Sequence, residues 1–308
     1  MNNRITVTGA NKVFLVVTVL CFIFSIVIGI VDVFFSGLID NNTYLMLIIN
    51  QFYFILFPVL FYLIKNKIDI KEVLRFNKLD LLPAFLIILI SLPAYLGALS
   101  LNVIALYVIQ FTGYTPDSSM PTPENLGELL VVVLVVAVSP AICEEILHRG
   151  VLLKAYERRG SVKAVVISSI LFGIFHYDIT NLAAPVFLGL LIGYYVVRTN
   201  SIFAGMLAHF LNNFISVLFQ YFMSKSDSVS ESARVTEEQL VAMIIFGIVC
   251  MAAVFFLVIC FHFGTKGKYT LRPSGTTLLN DVVSIVTHWP VAIALLLYIL
   301  FTLIILSG

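Results

Sequence analysis

The chain has 308 residues, of which 60% are hydrophobic and only 11% are charged, and its net charge is +1. Soluble globular domains carry about 25% charged residues, and a mean hydropathy of +1.06 leaves too little polar surface for a water-soluble protein of this size. The composition therefore excludes a soluble domain, a disordered chain and a coiled coil, and the near-neutral charge excludes nucleic acid as a partner. We expect one membrane domain over residues 1–308, an all-α transmembrane helix bundle.

Apolar stretches mark the membrane spans, since a helix needs about 20 apolar residues to cross the hydrocarbon core. The sequence predicts eight or nine spans, at residues 12–35, 44–64, 81–111, 127–157, 162–177, 183–197, 201–222, 240–263 and 289–306. The third contains Pro83, Pro93 and Gly97, so we expect it to be kinked or broken.

The distribution of lysine and arginine predicts the orientation. With a cytoplasmic N-terminus and alternating spans, 15 of the 18 basic residues fall in cytoplasmic segments, two fall outside, and Arg149 lies within a span. Cytoplasmic loops carry an excess of basic residues. We therefore expect an integral protein of a bacterial plasma membrane with its N-terminus in the cytoplasm.

Three groups of polar residues interrupt the fourth, fifth and seventh spans: Glu144 to Arg149, Phe172 to His176, and His209 to Asn213. An ionisable side chain within a span is costly, so each is a functional hypothesis. At about 1.5 Å per residue, Glu144, His176 and Asn213 lie roughly 18–21 Å, and His209 roughly 12 Å, from the cytoplasmic ends of their helices. The sequence predicts one site between these three spans, near mid-membrane, that opens toward the cytoplasm.

Helical periodicity assigns roles within the first group, because residues four apart share a helix face. Glu145 and Arg149 are predicted to form a supporting ion pair. Glu144 lies on the other face, which it shares with His148, and is the candidate general base. Phe172, from the second group, is expected to pack beside the site and shape it.

The remaining residues suit hydrolysis of a carbonyl compound by water. His209 and Asn213 share one face and can both donate hydrogen bonds to an oxyanion, while a carboxylate activates the water. A second possibility is that Glu144, His176 and His209 hold a catalytic zinc ion. The usual H-E-x-x-H signature of zinc proteases is absent from the sequence.

Three motifs occur in order on these helices: Glu144-Glu145-x-x-x-Arg149, Phe172-x-x-x-His176 and His209-x-x-x-Asn213. They resemble the signature motifs of the CPBP family, which comprises the CAAX prenyl endopeptidases and the bacteriocin-processing (Abi) proteins. The resemblance covers residues 127–222, the expected catalytic core.

The resemblance implies an intramembrane endopeptidase that cleaves a membrane-associated peptide or protein with a glutamate-activated water. It implies that Glu144 is the base, that His176 helps to hold the water, that His209 and Asn213 form the oxyanion site, and that Glu145 and Arg149 support them. No cofactor is expected to be required, although family members have been called metalloproteases, which keeps the zinc alternative open.

Two other functions compete with this one. A regulator or bacteriocin immunity protein of the same family would bind its partner without catalysis. A proton-coupled transporter would call for inverted repeats, and the sequence shows no internal repeat. The expected partners are the lipid bilayer and a membrane peptide or protein, and nothing in the sequence indicates a prenylated substrate.

Overall fold

The structure, a computed structural model, describes residues 4–35, 38, 42–114, 122–225, 234–266, 271–275 and 277–307. Over these residues all regular secondary-structure elements of three or more residues are helices, which confirms the predicted all-α transmembrane bundle. A short helix, Ile70–Leu74, precedes α3. The main helices are α1 Val7–Phe34, α2 Thr43–Lys65, α3 Leu81–Thr112, α4 Leu126–Arg159, α5 Ser161–Phe175, α6 Ala183–Thr199, α7 Ile202–Met223, α8 Glu237–Gly264, α9 Leu278–Val286 and α10 Trp289–Ser307.

The number of full-length spans is lower than the sequence predicts. Within the described residues, six helices are long and apolar enough to cross a membrane, and a seventh span results if α9 and α10, bent by 75°, count as one. The predicted fifth and sixth spans, α5 and α6, have 15 and 17 residues. They reach about 22 and 26 Å, short of a hydrocarbon core of about 30 Å.

The long third span is one continuous helix, so of the two predicted outcomes, a kink or a break, the break is wrong. One helix runs from Leu81 to Ile109 with Pro93 in its interior. It packs along α8, and Gly247 of α8 lies so close to Ser100 that a Cβ there would approach the serine Cβ to 2.8 Å. Close packing along this neighbour keeps the helix continuous past its proline.

Helix α4 is irregular where it carries the carboxylates. Its regular turn Ser139–Glu145 lies between two wider π-helical stretches, Val133–Val138 and Ile146–Leu152. Pro140 has no N–H, so it leaves a carbonyl of the preceding turn without its helical donor. Side chains supply donors instead: the Ser139 hydroxyl bonds the Val135 carbonyl at 2.6 Å, and Asn213 Nδ2 bonds the Val136 carbonyl at 3.0 Å. Such π-turns are frequent at functional sites.

The loops predicted to be cytoplasmic meet at one end of the bundle, which we call the basic end. Its contacts include a buried ion pair between Arg75 and Glu157. The Ser201 hydroxyl bonds the Asn77 carbonyl at 2.6 Å. Arg159 Nη1 donates to Asp281 of α9 at 2.7 Å. The other end, which we call the distal end, joins Gln110 to the backbone of Val235 and Lys225 to the Glu124 carbonyl.

Candidate active site

A cavity of about 490 Å³ lies within the bundle, and Glu144, His176, His209 and Asn213 all line it. The structure therefore brings the four predicted catalytic residues to one place. The site is broader than the predicted space between the fourth, fifth and seventh spans. Side chains from α2, α3 and α6 also line it, among them Gln51, Asn102 and Leu188.

Glu144 is held from α2 by a residue that the sequence did not single out. Gln51 Nε2 donates to Glu144 Oε1 at 2.8 Å, and Glu144 is only 7% exposed. Glu144 Oε2 and Gln51 Oε1 are buried and have no hydrogen-bond partner. His148, predicted to share this face, bonds the Glu144 backbone carbonyl through Nδ1 at 2.9 Å and is fully buried behind the cavity.

The predicted pair of Glu145 and Arg149 forms and extends to His209. Arg149 Nη1 donates to Glu145 Oε1 at 2.8 Å, and His209 Nδ1 lies 2.9 Å from the same oxygen. Both paired side chains are fully buried. Because a carboxylate oxygen only accepts, His209 Nδ1 carries a proton, and its other nitrogen, Nε2, remains for the cavity.

A glycine on α7 makes this contact possible. A Cβ at Gly205 would lie 2.6 Å from Glu145 Oε2. Only the absence of a side chain lets α7 approach the carboxylate this closely, so Gly205 sets the distance between α4 and α7 at the site.

The Phe172 ring lies at the centre of the cluster. It makes edge contacts with His148, His176 and His209 at centroid distances of 4.9, 4.8 and 5.5 Å. The Arg149 guanidinium lies 4.6 Å from its centroid. Phe172 therefore packs against three imidazoles and a cation, and its expected role in shaping the site stays a prediction.

His176 follows the last residue of α5 and is exposed to the cavity. Its Nδ1 lies 2.8 Å from the Phe172 carbonyl. Since that carbonyl only accepts, Nδ1 donates, and in the neutral ring Nε2 is an acceptor. His176 can therefore accept a hydrogen bond from a bound water.

Asn213 has one free N–H in the cavity. One Nδ2 hydrogen goes to the Val136 carbonyl, and Asn212 Nδ2 donates to Asn213 Oδ1 at 3.1 Å. A side-chain amide has two N–H donors, so the second is unused by the protein. The proline in α4 thus orients the amide on α7.

Several side-chain amides in the cavity were missed because the sequence reasoning concentrated on ionisable residues. They are Gln51, Asn102, Asn181 and Gln220. Asn102 Nδ2 bonds Asn181 Oδ1 at 2.6 Å, which ties α3 to the turn that joins α5 and α6. The signal was present, since an amide inside an apolar span needs a partner just as a charged group does.

The residues that line the cavity lie toward the distal end, opposite to the predicted opening. Its lining includes Leu47, Asn102, Ser216 and Gln220, all in the distal halves of their helices, and none of the loops at the basic end. The described lining therefore does not extend to the basic end, where the sequence predicts the opening. The physical reason is that hydrogen bonds and ion pairs between loops close the basic end.

Among the described residues, no three His, Cys, Asp or Glu side chains are arranged to hold a metal ion. Glu144, His176 and His209, the alternative zinc ligands, instead bond Gln51, the Phe172 carbonyl and Glu145.

Comparison with known proteins matches a family to the segment that carries the three motifs. Residues 126–215, less than a third of the chain, match the family described as type II CAAX prenyl endopeptidase Rce1-like. No curated protein and no solved structure matches the chain significantly. The matched segment contains all three motifs, so over residues 126–215 the chain is similar to this endopeptidase family.

Proposed function

We propose that this protein hydrolyses a peptide bond of a membrane-associated peptide or protein, with a water activated by Glu144. The observation that carries the proposal is that Glu144, His176, His209 and Asn213 line one cavity within the family segment. The set supplies a base, an acceptor for the water and two donors for an oxyanion.

The water is activated between two acceptors. Glu144, held through Oε1 by Gln51, accepts one proton from the water, and His176 Nε2 accepts a hydrogen bond from the other hydrogen. The water oxygen then attacks the scissile carbonyl carbon. General base catalysis of this kind contributes about 10²–10⁴-fold in rate.

The oxyanion forms next to α7. Asn213 donates its unused N–H, and His209 donates from Nε2 when its ring carries both protons, with Nδ1–H directed at Glu145. When the C–N bond breaks, Glu144 returns its proton to the leaving amine. One water is consumed, and a new carboxyl and a new amino terminus are released.

Glu145 and Arg149 act through His209 rather than on the substrate. Their buried ion pair fixes the carboxylate that orients the imidazole. In this mechanism the residues of the chain suffice, and no metal ion is needed. Activity that survives a strong chelator is the expected result, whereas loss that zinc restores would contradict this part of the proposal.

The test compares purified Glu144→Gln with wild type on a library of tagged membrane peptides. We expect cleavage to fall by about 10²–10⁴-fold, because an amide cannot take the proton from water. Glu124→Gln is the matched control, since Glu124 is an exposed carboxylate at the distal end. It should cleave like wild type.

The same pair of variants separates the proposal from a regulator or immunity function of the same family. If Glu144→Gln folded normally and kept the full cellular phenotype, catalysis would not be the function. Equal cleavage by both variants would likewise contradict the role given to Glu144.

A further inference from the structure

The short helices α5 and α6 place the catalytic cavity on the distal side of the bundle. The turn that joins them, residues 176–182, lies about 22–26 Å from the basic ends of the two helices. His176, Asp178 and Asn181 of this turn line the cavity. The cavity therefore lies between the turn that joins α5 and α6 and the distal end of the bundle, at the depth that these two short helices do not reach.

The polar lining is continuous from this turn toward the distal end. Counted from the basic ends of their helices, Gln51 lies at about 21 Å, Gln220 at about 27 Å and Asn102 at about 31 Å. His209, at about 11 Å, is the deepest catalytic residue. The cavity thus has its floor at His209 and its polar wall above it.

Beneath the floor the structure is closed. Arg149 and Glu145 are fully buried, and Arg149 donates to the Gly189 carbonyl of α6 at 3.3 Å. Closer to the basic end, Arg75 pairs with Glu157, and its carbonyl accepts from the backbone N–H of Ile202 at 3.2 Å. A peptide could not reach Glu144 from the basic end without breaking these buried contacts.

The charges on the wall indicate which peptide the cavity accepts. Glu144 and Asp178 supply carboxylates, and no lysine or arginine is among the residues that line the cavity in the described part of the chain. Thr180 holds one Asp178 oxygen through two hydrogen bonds of 2.8 and 2.6 Å. A substrate cation would meet Asp178 at this wall, whereas a substrate carboxylate would find no lysine or arginine among the described lining residues.

We infer that the substrate enters from the distal end, as an extended peptide segment that is neutral or positively charged around the cleaved bond. By the distribution of basic residues, the distal end is the extracytoplasmic face, so the cleaved segment lies on that side of the membrane. The side-chain amides of the wall suit the backbone of such a segment, because each offers both a donor and an acceptor. The inference rests on the proposed function for its substrate and on the cavity for its direction.

Cysteine labelling tests the direction without any need for activity. Ser216→Cys lies in the cavity wall, and Ser274→Cys, at an exposed position, is the matched control at the basic end. In intact cells, a membrane-impermeant maleimide should label Ser216→Cys and leave Ser274→Cys unlabelled. Inverted vesicles should show the opposite pattern, with the parent protein giving the background from the four native cysteines.

Two labelling results would overturn the inference. Labelling of both positions from the same side would show that the cavity does not open away from the basic end. A complete reversal would keep the relative direction and overturn the assignment of the extracytoplasmic face. Either result can be read even if the protein cleaves nothing, which separates this inference from the proposed function.

Paired peptides test the charge preference. A peptide that the wild type cleaves is made with either lysine or glutamate two residues from the cleaved bond, and we expect the lysine peptide to be cleaved at least tenfold faster. Asp178→Asn should reduce that ratio several-fold, while the exposed control Glu124→Gln should leave it unchanged. Equal rates, or a preference for glutamate, would overturn the charge preference.

Discussion

The basic end of the bundle and the cavity near mid-membrane differ in how their buried polar groups are paired. At the basic end, Arg75 and Glu157 are 2% and 0% exposed and pair with each other. Near mid-membrane, Glu144 Oε2 and Gln51 Oε1 are also buried but have no protein partner. At the basic end the two charges pair with each other, whereas in the cavity the Glu144 carboxylate is held by the neutral amide of Gln51.

This difference separates buried polar groups that pair with each other from buried polar groups that a ligand can reach. A buried polar group without a partner costs free energy, so a protein keeps one where a ligand or a reaction uses it. A paired charge is compatible with a purely structural role. Glu157 Oε1 is also buried without a partner, so what distinguishes the candidate site is that its unpartnered oxygens belong to residues that line a cavity.

The distinction between the two regions would be wrong if the basic end took part in catalysis. Variants of the Arg75–Glu157 ion pair test whether it does. Glu157→Leu leaves a buried guanidinium without its carboxylate, which should cost about 3–5 kcal/mol of stability. Thermal unfolding in detergent measures the loss. Cleavage per folded molecule at low temperature should stay within about twofold of wild type, since the pair does not line the cavity.

The double variant Arg75→Met with Glu157→Leu is the control. Replacing both charges with apolar side chains removes the unpaired charge and should recover most of the lost stability. A loss of cleavage in the double variant, at wild-type stability, would show that the closed end takes part in catalysis and would contradict the division drawn above.

The second prediction concerns the cavity and tests whether Gln51 positions Glu144. Gln51→Leu removes the donor that holds Glu144 Oε1, and a hydrogen bond to a charged group contributes about 1.5–3 kcal/mol, or roughly 10–100-fold in rate. The loss should fall on kcat with KM little changed, because Gln51 positions the base rather than binding the substrate. Steady-state kinetics on a cleaved peptide measure both constants.

Gln110→Leu is the matched control for this variant. Gln110 is also a membrane glutamine with buried hydrogen bonds, but it joins Val235 at the distal end and lies outside the cavity. It should destabilise the protein and leave kcat per folded molecule unchanged. An equal fall in kcat for both glutamine variants would mean that Gln51 acts only through stability.

Much of the site could be predicted from the sequence because it depends on local spacing. The four-residue separation of Glu145 and Arg149 places them on one helix face, and the structure has the pair. Charged and histidine residues inside apolar spans identified Glu144, His176 and His209, and depth along the helices placed them at compatible levels. These inferences need only the pitch of a helix and the cost of burying charge.

What could not be predicted depends on contacts between distant segments. Gln51 is 93 residues from Glu144 in the chain, so no local pattern connects them. The direction of the cavity follows from which loops close against each other, as Asn77 does with Asn200. The continuity of α3 likewise depends on its packing against α8. The lengths of α5 and α6, 15 and 17 residues, could not be predicted from composition, because it records apolarity and not where a helix ends.

The smallest effect we expect comes from the link between Pro140 and Asn213, and it tests how the cavity wall is built. Asn213→Ala leaves the Val136 carbonyl without its donor, which should cost about 1 kcal/mol. Pro140→Ala supplies a backbone N–H, so in the Asn213→Ala protein it should recover that stability without restoring cleavage. Unfolding measurements on the two single variants and the double variant give the coupling between them. Additive effects would mean that the amide does not take the place of the missing helical hydrogen bond, and that α4 and α7 are held together at the site mainly by Glu145 and His209.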